Sequence, residues 1–320
     1  MVSTPSRIAE ELLRHRRILI VSHVDPDGDT IGSALGLAWA LRSLGREVLM
    51  GCDDPVPEEA AALPGADEFS SSPPQDVDAI VAVDASDERR MGSLFRPSAE
   101  RGGPLIVIDH HITNGGYGDL NLVMDTSATA EIVLLVVDAL GVSLDATIAR
   151  CLLTGVVTDT QGFRTASTTA NSLTVAQRLM AAGADLVQIS NQAFNRRSLS
   201  MLSLWGRALT AAEMRSGVLW AELPLAWLPQ GNSDGQVGSG LANLLNTVRE
   251  ARVSALFTEQ DDGLIDVSIR AKPGYDVSGV ALAFGGGGHA GAAGCQVKGS
   301  LAGVREAVVD ALTRLVNTQG

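Results

Sequence analysis

Four short apolar runs in the first half of the chain constrain its fold more than any other feature. They are ILIV at 18–21, VLMG at 48–51, AIVAV at 79–83 and LIVI at 105–108. The last two are continuously aliphatic, which is typical of strands buried on both faces of a parallel sheet. Helices, predicted from apolar residues at helical spacing, are expected over 30–45, 128–140, 145–158 and 171–182. This alternation predicts an α/β fold with a doubly wound, mostly parallel sheet.

The pattern changes near residue 185, which indicates a second domain. The segment 186–209 predicts one or two bridging helices, and the strand patterns and short helices after it predict a smaller α+β domain. The strand patterns are GVLWAEL, RVSALFTE and LIDVSIRA, and helices are expected around DVSGVALAF and over 301–316. The polar, glycine-rich GNSDGQVGSG at 231–240 is expected to be a loop. We therefore expect an α/β domain over 1–190, a helical linker over 191–212 and an α+β domain over 213–320.

The composition indicates a folded protein with more than one core. The chain has 320 residues, of which 45% are hydrophobic and 19% charged, and this balance argues against disorder. Cys52, Cys151 and Cys295 show no C-x-x-C spacing, so a structural zinc site or a disulfide framework is not expected. No apolar run reaches the roughly 18–20 residues of a membrane span, and the N-terminal stretch lacks the apolar centre of a signal peptide. We expect a cytoplasmic protein that does not bind membranes.

The net charge bears on the partners of the chain. At −13 it argues against binding long duplex nucleic acid, because phosphate neutralisation by a basic face supplies most of that affinity. Aromatic residues make up only 4%, which excludes extensive base-stacking platforms. A small phosphorylated ligand remains compatible, since a few arginines and bound metal ions can invert the local field.

Acidic residues and histidines follow the predicted strands. The set comprises His23, Asp27 and Asp29 after the first strand, Asp84 after AIVAV, Asp109-His110-His111 at the end of LIVI, and Asp159 at the end of an apolar helix. Ligands of open α/β sheets bind at the carboxyl ends of the strands, so we expect these side chains to lie close together. So many carboxylates in one place would repel one another unless cations lay among them.

Each member of the set also has a purely structural explanation. Asp29 or Thr30 alone is equally consistent with a helix cap, Asp84 with a turn former, and Asp159 with a polar residue at a helix end. Consecutive histidines at a strand end are harder to explain by packing. The clusters together favour a metal centre, and the sequence offers no serine or cysteine nucleophile elbow that would favour covalent catalysis.

In their order along the chain, these clusters resemble the four motifs of the DHH phosphoesterase family, which is named for the Asp-His-His triplet. The run Gly286-Gly287-Gly288-His289, followed by AGAAG, resembles the glycine-rich motif of the DHH-associated C-terminal domain. Motif order and domain length are most similar to the bacterial nanoRNase and pAp-phosphatase subfamily. The resemblance covers essentially the whole chain.

The resemblance implies two divalent metal ions. The first would be held by His23, Asp27 and Asp84, and the second by Asp29, Asp84, His110 and Asp159, so that Asp84 bridges the two. His111 would lie close to the scissile phosphate and Asp109 would support the histidine pair, which makes His111, Asp109 and Asp84 the expected catalytic residues. Carboxylate and imidazole ligands suit manganese best, with magnesium or cobalt as alternatives.

A phosphate site is expected in the second domain. Gly286, Gly287 and Gly288 would let backbone N–H groups approach a phosphate, and His289 would donate to it. Arg270, in an S-x-R element similar to that of the family, is expected to clamp a terminal phosphate, unless it is simply a solvated strand arginine. Lys272 would assist it. In the first domain, Arg164 after Asp159 resembles a further phosphate contact.

Two domains, one with metals and one with a phosphate anchor, imply a cleft of limited length and hence a small substrate. The leading hypothesis is a phosphoesterase that releases 5′-mononucleotides from short oligoribonucleotides (nanoRNA), or phosphate from 3′-phosphoadenosine 5′-phosphate (pAp), or both. A cyclic-dinucleotide phosphodiesterase, a family II inorganic pyrophosphatase, a RecJ-like single-strand exonuclease and a non-catalytic nucleotide sensor are the alternatives. Ala290-Gly291 replaces a basic or polar pair common in the nanoRNase type, which weakens the case for longer oligonucleotides. The sequence does not fix the oligomeric state, and a homodimer is compatible with the family.

Overall fold

The computed structural model describes residues 3–74, 76–228, 238 and 240–319, and these residues fall into two compact units that divide between Arg196 and Arg197. The predicted loop 231–240 lies outside the described residues except at Gly238 and Gly240. None of the helices in the described ranges combines the length and apolar character that crossing a membrane requires.

The described part of the first unit is built around a sheet of six strands. They are β1 Arg17–Val21, β2 Glu47–Gly51, β3 Phe69–Ser70, β4 Ala79–Val83, β5 Leu105–Asp109 and β6 Leu120–Val123. Their order is β3-β2-β1-β4-β5-β6, and every neighbouring pair is parallel. The strand order reverses between β1 and β4, which is the topological switch point of a doubly wound sheet. The predicted α/β class and parallel sheet are confirmed.

Helices cover the sheet of the first unit. They are α1 Pro5–Leu12, α2 Gly28–Ser43, α3 Thr129–Ala139, α4 Ala146–Asp159, α5 Ala170–Ala181 and α6 Leu186–Phe194. Helix α2 packs closely on α4, because a Cβ on Gly32 would lie 2.4 Å from the Cys151 carbonyl oxygen and a Cβ on Gly36 2.4 Å from the Leu152 side chain. This contact fixes the first turn of α2 against the last turns of α4, where two of the predicted metal ligands lie.

In the described part of the first unit, two strands, β3 and β6, were not predicted, and both lie at the edges of the sheet. The side chains of β3 are only partly buried, and those of β6 are partly buried at three of its four positions. Because a strand at the edge of a sheet is only partly covered, neither needs the continuous aliphatic run that identifies β1, β4 and β5.

The second unit contains a mixed sheet and flanking helices. Its elements are α7 Leu199–Thr210, β7 Glu213–Arg215, β8 Val218–Leu223, α8 Leu241–Asn246, β9 Val253–Glu259, β10 Leu264–Ala271, α9 Ser278–Ala283, β11 Gly287–His289, β12 Ala292–Lys298 and α10 Leu301–Gln319. The strand order is β11-β12-β10-β9-β8-β7, with β8 and β9 parallel and the other pairs antiparallel. Strands β7, β11 and β12 were not predicted either. The predicted α+β character is confirmed.

Helix α7 lies in the segment for which the sequence predicts a linker. Its residues Leu204, Trp205 and Ala208 are buried in one apolar cluster with residues of β8 and α8. The helix is therefore packed into the second unit, and the two compact units meet in sequence between Arg196 and Arg197.

Candidate metal centre

The carboxyl edge of the first sheet collects the predicted metal ligands. His23 follows β1, and Asp27 and Asp29 lie at the start of α2, where the Asp27 Oδ1 caps the helix by accepting the N–H groups of Asp29 and Thr30. Asp84 follows β4, and Asp159 is the last residue of α4. The helix cap is thus Asp27, and not Asp29 or Thr30, the two capping candidates in the sequence.

These six side chains form two groups of potential ligands, and Asp84 and His110 form a third group with His111. The donor atoms of His23, Asp27 and Asp84 lie within 4.8 Å of one another, and so do those of Asp29, His110 and Asp159. Asp84 faces both groups, because its Oδ2 lies 3.5 Å from His23 Nε2 and its Oδ1 lies 3.5 Å from His110 Nε2. The structure therefore brings together all six residues for which metal binding was predicted.

Asp84 has an unusual backbone conformation for its position. Its φ is +60°, in the left-handed region, which costs an L-residue other than glycine roughly 1–2 kcal/mol. Its N–H donates to the Ile108 carbonyl, 2.9 Å away, so the neighbouring strand holds the conformation in place. Strain of this kind is concentrated at functional sites, and here it directs a buried carboxylate between two histidines.

The charges of the cluster repel one another. Burial, together with the charges of Asp84 and Asp159, raises the pKa of Asp29 well above its usual range. Burial and the charge of Asp84 also raise the pKa of Asp159 to about 6, despite the opposing charge of His110. Burial acts to lower the pKa of His23, but hydrogen bonds and charge from Asp27 and Asp84 raise it to about 9. Divalent cations would relieve the same repulsion, and a set of carboxylates and imidazoles fits hard or borderline ions.

The start of α3 and the loop before it support three of the six ligands, which was not predicted from the sequence. The N–H groups of Thr129 and Ala130 donate to the two oxygens of Asp29, at 2.6 and 3.0 Å. The Thr129 hydroxyl donates to Asp84 Oδ1 at 2.8 Å, and His110 Nδ1 lies 3.1 Å from the Thr126 carbonyl oxygen. Contacts of this type orient metal ligands and leave the opposite ring nitrogen of a histidine free to coordinate.

Asp109 and His111 form a hydrogen-bonded pair beside this cluster. His111 Nδ1 lies 2.8 Å from Asp109 Oδ1, and the Asn114 amide donates to Asp109 Oδ2 at 2.6 Å. The hydrogen bond to Asp109 raises the pKa of His111, while the hydrogen bonds from His111 and Asn114 overcome burial and lower that of Asp109. The pair therefore favours a protonated imidazole whose outer nitrogen can donate to a phosphoryl oxygen.

Comparisons with known proteins agree with this arrangement. The N-terminal domain of the DHH family matches residues 17–156, and the DHHA1 domain matches residues 218–318. The bifunctional oligoribonuclease and PAP phosphatase NrnA of Thermus thermophilus is 36% identical over 320 residues, covering 96% of this chain and 94% of that protein. The chain belongs to the DHH family.

Further relatives extend this result. The Bacillus subtilis protein of the same name is 28% identical, over 88% of this chain and 89% of that protein. The crystal structure of an exopolyphosphatase-related protein from Bacteroides fragilis matches with a TM-score of 0.88 at 24% identity, covering 98% of this chain and 97% of that one. The exonuclease RecJ bound to manganese matches with a TM-score of 0.58 at 16% identity, over 98% of this chain and 95% of that one, and shows a shared fold. DHH phosphoesterases depend on metal ions, and this member has Asp and His groups suited to bind them.

The residues predicted to bind phosphate in the first unit and in the DHHA1 domain differ in their exposure and in their hydrogen-bond partners. Arg164 is exposed, and its guanidinium donates to the Gln161 carbonyl and lies over the Phe194 ring. Arg270 is half-buried on β10, where it donates to Asn243 Oδ1 at 2.8 Å and to the Ile269 carbonyl. The ammonium of Lys272, the predicted assisting contact, donates to the backbone carbonyls of Val248 and Arg249.

Part of the glycine run of the DHHA1 domain is required by the packing of the fold. The N–H groups of Gly285 and Gly286 donate to the carbonyls of Leu282 and Ala281 at the end of α9, so they do not point to a ligand. A Cβ on Gly286 would lie 2.0 Å from the Gly294 carbonyl oxygen, and one on Gly288 2.5 Å from Ala293 Cα, both in β12. Gly287 meets nothing within 4 Å, and His289 is exposed at the end of β11.

Proposed function

We propose that this chain is a phosphoesterase with two divalent metal ions, which hydrolyses oligoribonucleotides of a few residues to 5′-mononucleotides and pAp to AMP. The observation that carries the proposal is the position of Asp84. Its Oδ2 lies 3.5 Å from His23 Nε2, and its Oδ1 lies 3.5 Å from His110 Nε2. A carboxylate shared by two ligand groups is what a two-metal hydrolase requires. The similarity to the NrnA proteins over nearly the whole chain supports the substrate assignment.

The same geometry supports the division of the metal ligands. His23, Asp27 and Asp84 would hold one ion, and Asp29, Asp84, His110 and Asp159 the other. We propose manganese as the physiological ion, because mixed imidazole and carboxylate ligands favour it over calcium, while magnesium or cobalt are substitutes. When bound, such a pair lowers the pKa of a water so that it can attack phosphorus, and neutralises charge on the phosphoryl oxygens.

His111 and Asp109 complete the reaction centre in this proposal. Asp109 is fully buried and accepts hydrogen bonds on both carboxylate oxygens, which fixes the ring plane of His111. The His111 side chain is partly exposed, so its Nε2 can donate a hydrogen bond to the phosphoryl group or a proton to the leaving oxygen. The Thr129 hydroxyl holds Asp84 in place. Asp84 in turn fixes where the two ligand groups lie relative to His111.

The remaining predicted residues are proposed to bind the non-reacting part of the substrate. Arg270 offers a charged, half-buried guanidinium. Its orientation is fixed because its Nε–H donates a hydrogen bond to Asn243 Oδ1. Gly286 and Gly288 keep β11 close to β12, while the open side of Gly287 and the exposed His289 are suited to contact a phosphate. Arg164 would contribute a further, solvent-exposed contact.

A substrate panel tests the proposal. Purified protein with manganese is offered pAp, a diribonucleotide, a cyclic dinucleotide, a long single strand and pyrophosphate. We expect turnover of the first two. Hydrolysis of pyrophosphate alone would support the pyrophosphatase alternative, processive digestion of the long strand the RecJ-like one, and hydrolysis of the cyclic substrate alone the cyclic-dinucleotide phosphodiesterase. Binding without turnover of any substrate would support a sensor.

A further inference from the structure

Arg90 lies next to the metal centre without having been predicted as part of it. It belongs to a short 3₁₀ segment, Glu88–Leu94, that follows β4 and Asp84. One Nη of its guanidinium lies 2.8 Å from His23 Nδ1, and its backbone carbonyl accepts the N–H of Val24 at 2.8 Å. Both its main chain and its side chain therefore contact the loop that carries His23.

The contact with His23 cannot persist when that histidine binds a metal ion. Nδ1 of His23 lies 2.7 Å from the Val24 carbonyl oxygen as well as 2.8 Å from Arg90, and one ring nitrogen either donates or accepts. Because Nε2 faces Asp27 and Asp84, it is the atom that would coordinate the ion, and Nδ1 would then carry the hydrogen and donate to the Val24 carbonyl oxygen. The guanidinium of Arg90 is left without an acceptor there.

In the described part of the chain, Arg90 lacks the carboxylate partner that many arginines of the first unit have. Arg42, Arg101 and Arg178 each lie within 2.9 Å of a carboxylate oxygen. Among the residues that the structure describes, no carboxylate lies within 4.0 Å of the Arg90 side chain, and its one hydrogen bond is to His23. A guanidinium is a cation, so an anion is the partner that this half-buried side chain lacks.

We propose that Arg90 binds the substrate at the metal centre by donating to a non-bridging oxygen of its phosphoryl group. The planar guanidinium matches a phosphoryl group in charge and hydrogen-bond geometry. The inference rests on the proposed phosphoesterase function and adds a residue to it. Inorganic phosphate, which is a product of pAp hydrolysis, is expected to bind at the same place.

Phosphate affinity of the manganese-loaded protein tests this inference. Phosphate is titrated by calorimetry into the wild type, Arg90→Gln and Arg89→Gln, with manganese saturating. Arg89 is the matched control, since it is the neighbouring arginine, is exposed and pairs with Asp87. We expect Arg90→Gln to weaken phosphate binding, and to raise KM for pAp, by about 10- to 100-fold, the usual effect of losing a charge-assisted hydrogen bond. Arg89→Gln should match the wild type.

Two results would overturn the inference. One is equal phosphate affinity in Arg90→Gln and Arg89→Gln. The other is weaker manganese binding in Arg90→Gln with unchanged phosphate affinity at saturating manganese, which would mean that Arg90 acts only through His23. If the wild type hydrolyses neither pAp nor a dinucleotide, the proposed function fails, but the phosphate titration still decides the role of Arg90.

A measurement on the wild type covers the case in which Arg90→Gln does not fold. Phenylglyoxal modifies accessible guanidinium groups, and the modified positions can be mapped by peptide mass spectrometry. Phosphate should slow the modification of Arg90 in the manganese-loaded protein and leave that of Arg89 unchanged. Equal modification of Arg90 with and without phosphate would contradict the proposal.

Discussion

The two regions assigned to phosphate chemistry are held in place to different degrees. In the first unit, Asp29 and Asp84 are buried, and the start of α3 donates three hydrogen bonds to their oxygens. In the second unit, β11 is exposed along its length, and Arg270 has one side-chain partner, Asn243. We therefore expect substitutions of these buried carboxylates and of the residues that hold them to change the rate of the reaction, and substitutions in the second region to change mainly the affinity for substrate.

The largest effect is expected from Asp84→Asn, which keeps the side-chain shape and removes the charge shared by the two ligand groups. Turnover of pAp should fall by at least about 10³-fold, because the loss affects charge stabilisation at both proposed ions. Asp25→Asn is the matched control: Asp25 is exposed in the same acidic loop and has φ +49°, which asparagine accepts. Turnover of Asp84→Asn within about tenfold of the control would exclude a bridging role.

A smaller effect is expected from Thr129→Val, which removes the hydroxyl that donates to Asp84 Oδ1 and keeps the volume. Manganese affinity or kcat should fall by about 10- to 100-fold, as is usual when a partner of a metal ligand is lost. Thr129→Ser should restore most of it. Thr154→Val is the control, because the buried Thr154 hydroxyl donates only to the Arg150 carbonyl within α4. An equal loss in both valine variants would indicate a general packing effect.

Arg270→Gln tests the second region and should act on KM. We expect KM for pAp to rise about tenfold, the lower end of the range for a charge-assisted hydrogen bond, with kcat nearly unchanged. Arg249→Gln is the matched control, since Arg249 is exposed in the same unit and its guanidinium lies 3.7 Å from Glu250. A fall in kcat with unchanged KM would mean that Arg270 acts on the reaction itself, and the two regions would then not differ in the way expected here.

The smallest effect concerns the glycine run and is measured as stability. Gly286→Ala should lower the free energy of unfolding by about 1–3 kcal/mol, because the added Cβ would overlap β12. Gly287→Ala should change it by less than about 0.5 kcal/mol, since the position is open. Chemical denaturation of the two variants measures the difference. Equal stability would mean that β11 does not need the close approach to β12.

Much of the fold could be predicted because burial leaves a direct mark on sequence. Strands β1, β4 and β5 are covered on both faces and each carries a continuous aliphatic run of at least four residues, whereas the edge strands β3 and β6 carry no such run. The meeting of His23, Asp84 and His110 followed from topology, since the carboxyl ends of parallel strands share one edge. Asp159 ends α4 and joins them through the packing of α4 on α2. How tightly each ligand is held did not follow from topology.

Contacts between distant parts of the chain could not be predicted from one sequence. Thr129 looks like an ordinary residue at a helix start, and nothing local shows that its N–H reaches Asp29, 100 positions earlier. Arg90 looks like a surface arginine beside Arg89, and only the turn after Asp84 places it against His23. In the glycine run, nothing in the sequence indicates that the N–H groups of Gly285 and Gly286 donate hydrogen bonds to carbonyls of α9.

The stoichiometry and magnetic coupling of bound manganese test the central claim most directly. Two Mn²⁺ ions that share Asp84 should lie about 3.5–4 Å apart, close enough to couple. Titration followed by electron paramagnetic resonance should show two ions per chain with a coupled spectrum, and Asp84→Asn should abolish the coupling. One ion per chain, or two uncoupled ions in the wild type, would contradict a shared carboxylate and with it the proposed two-metal reaction.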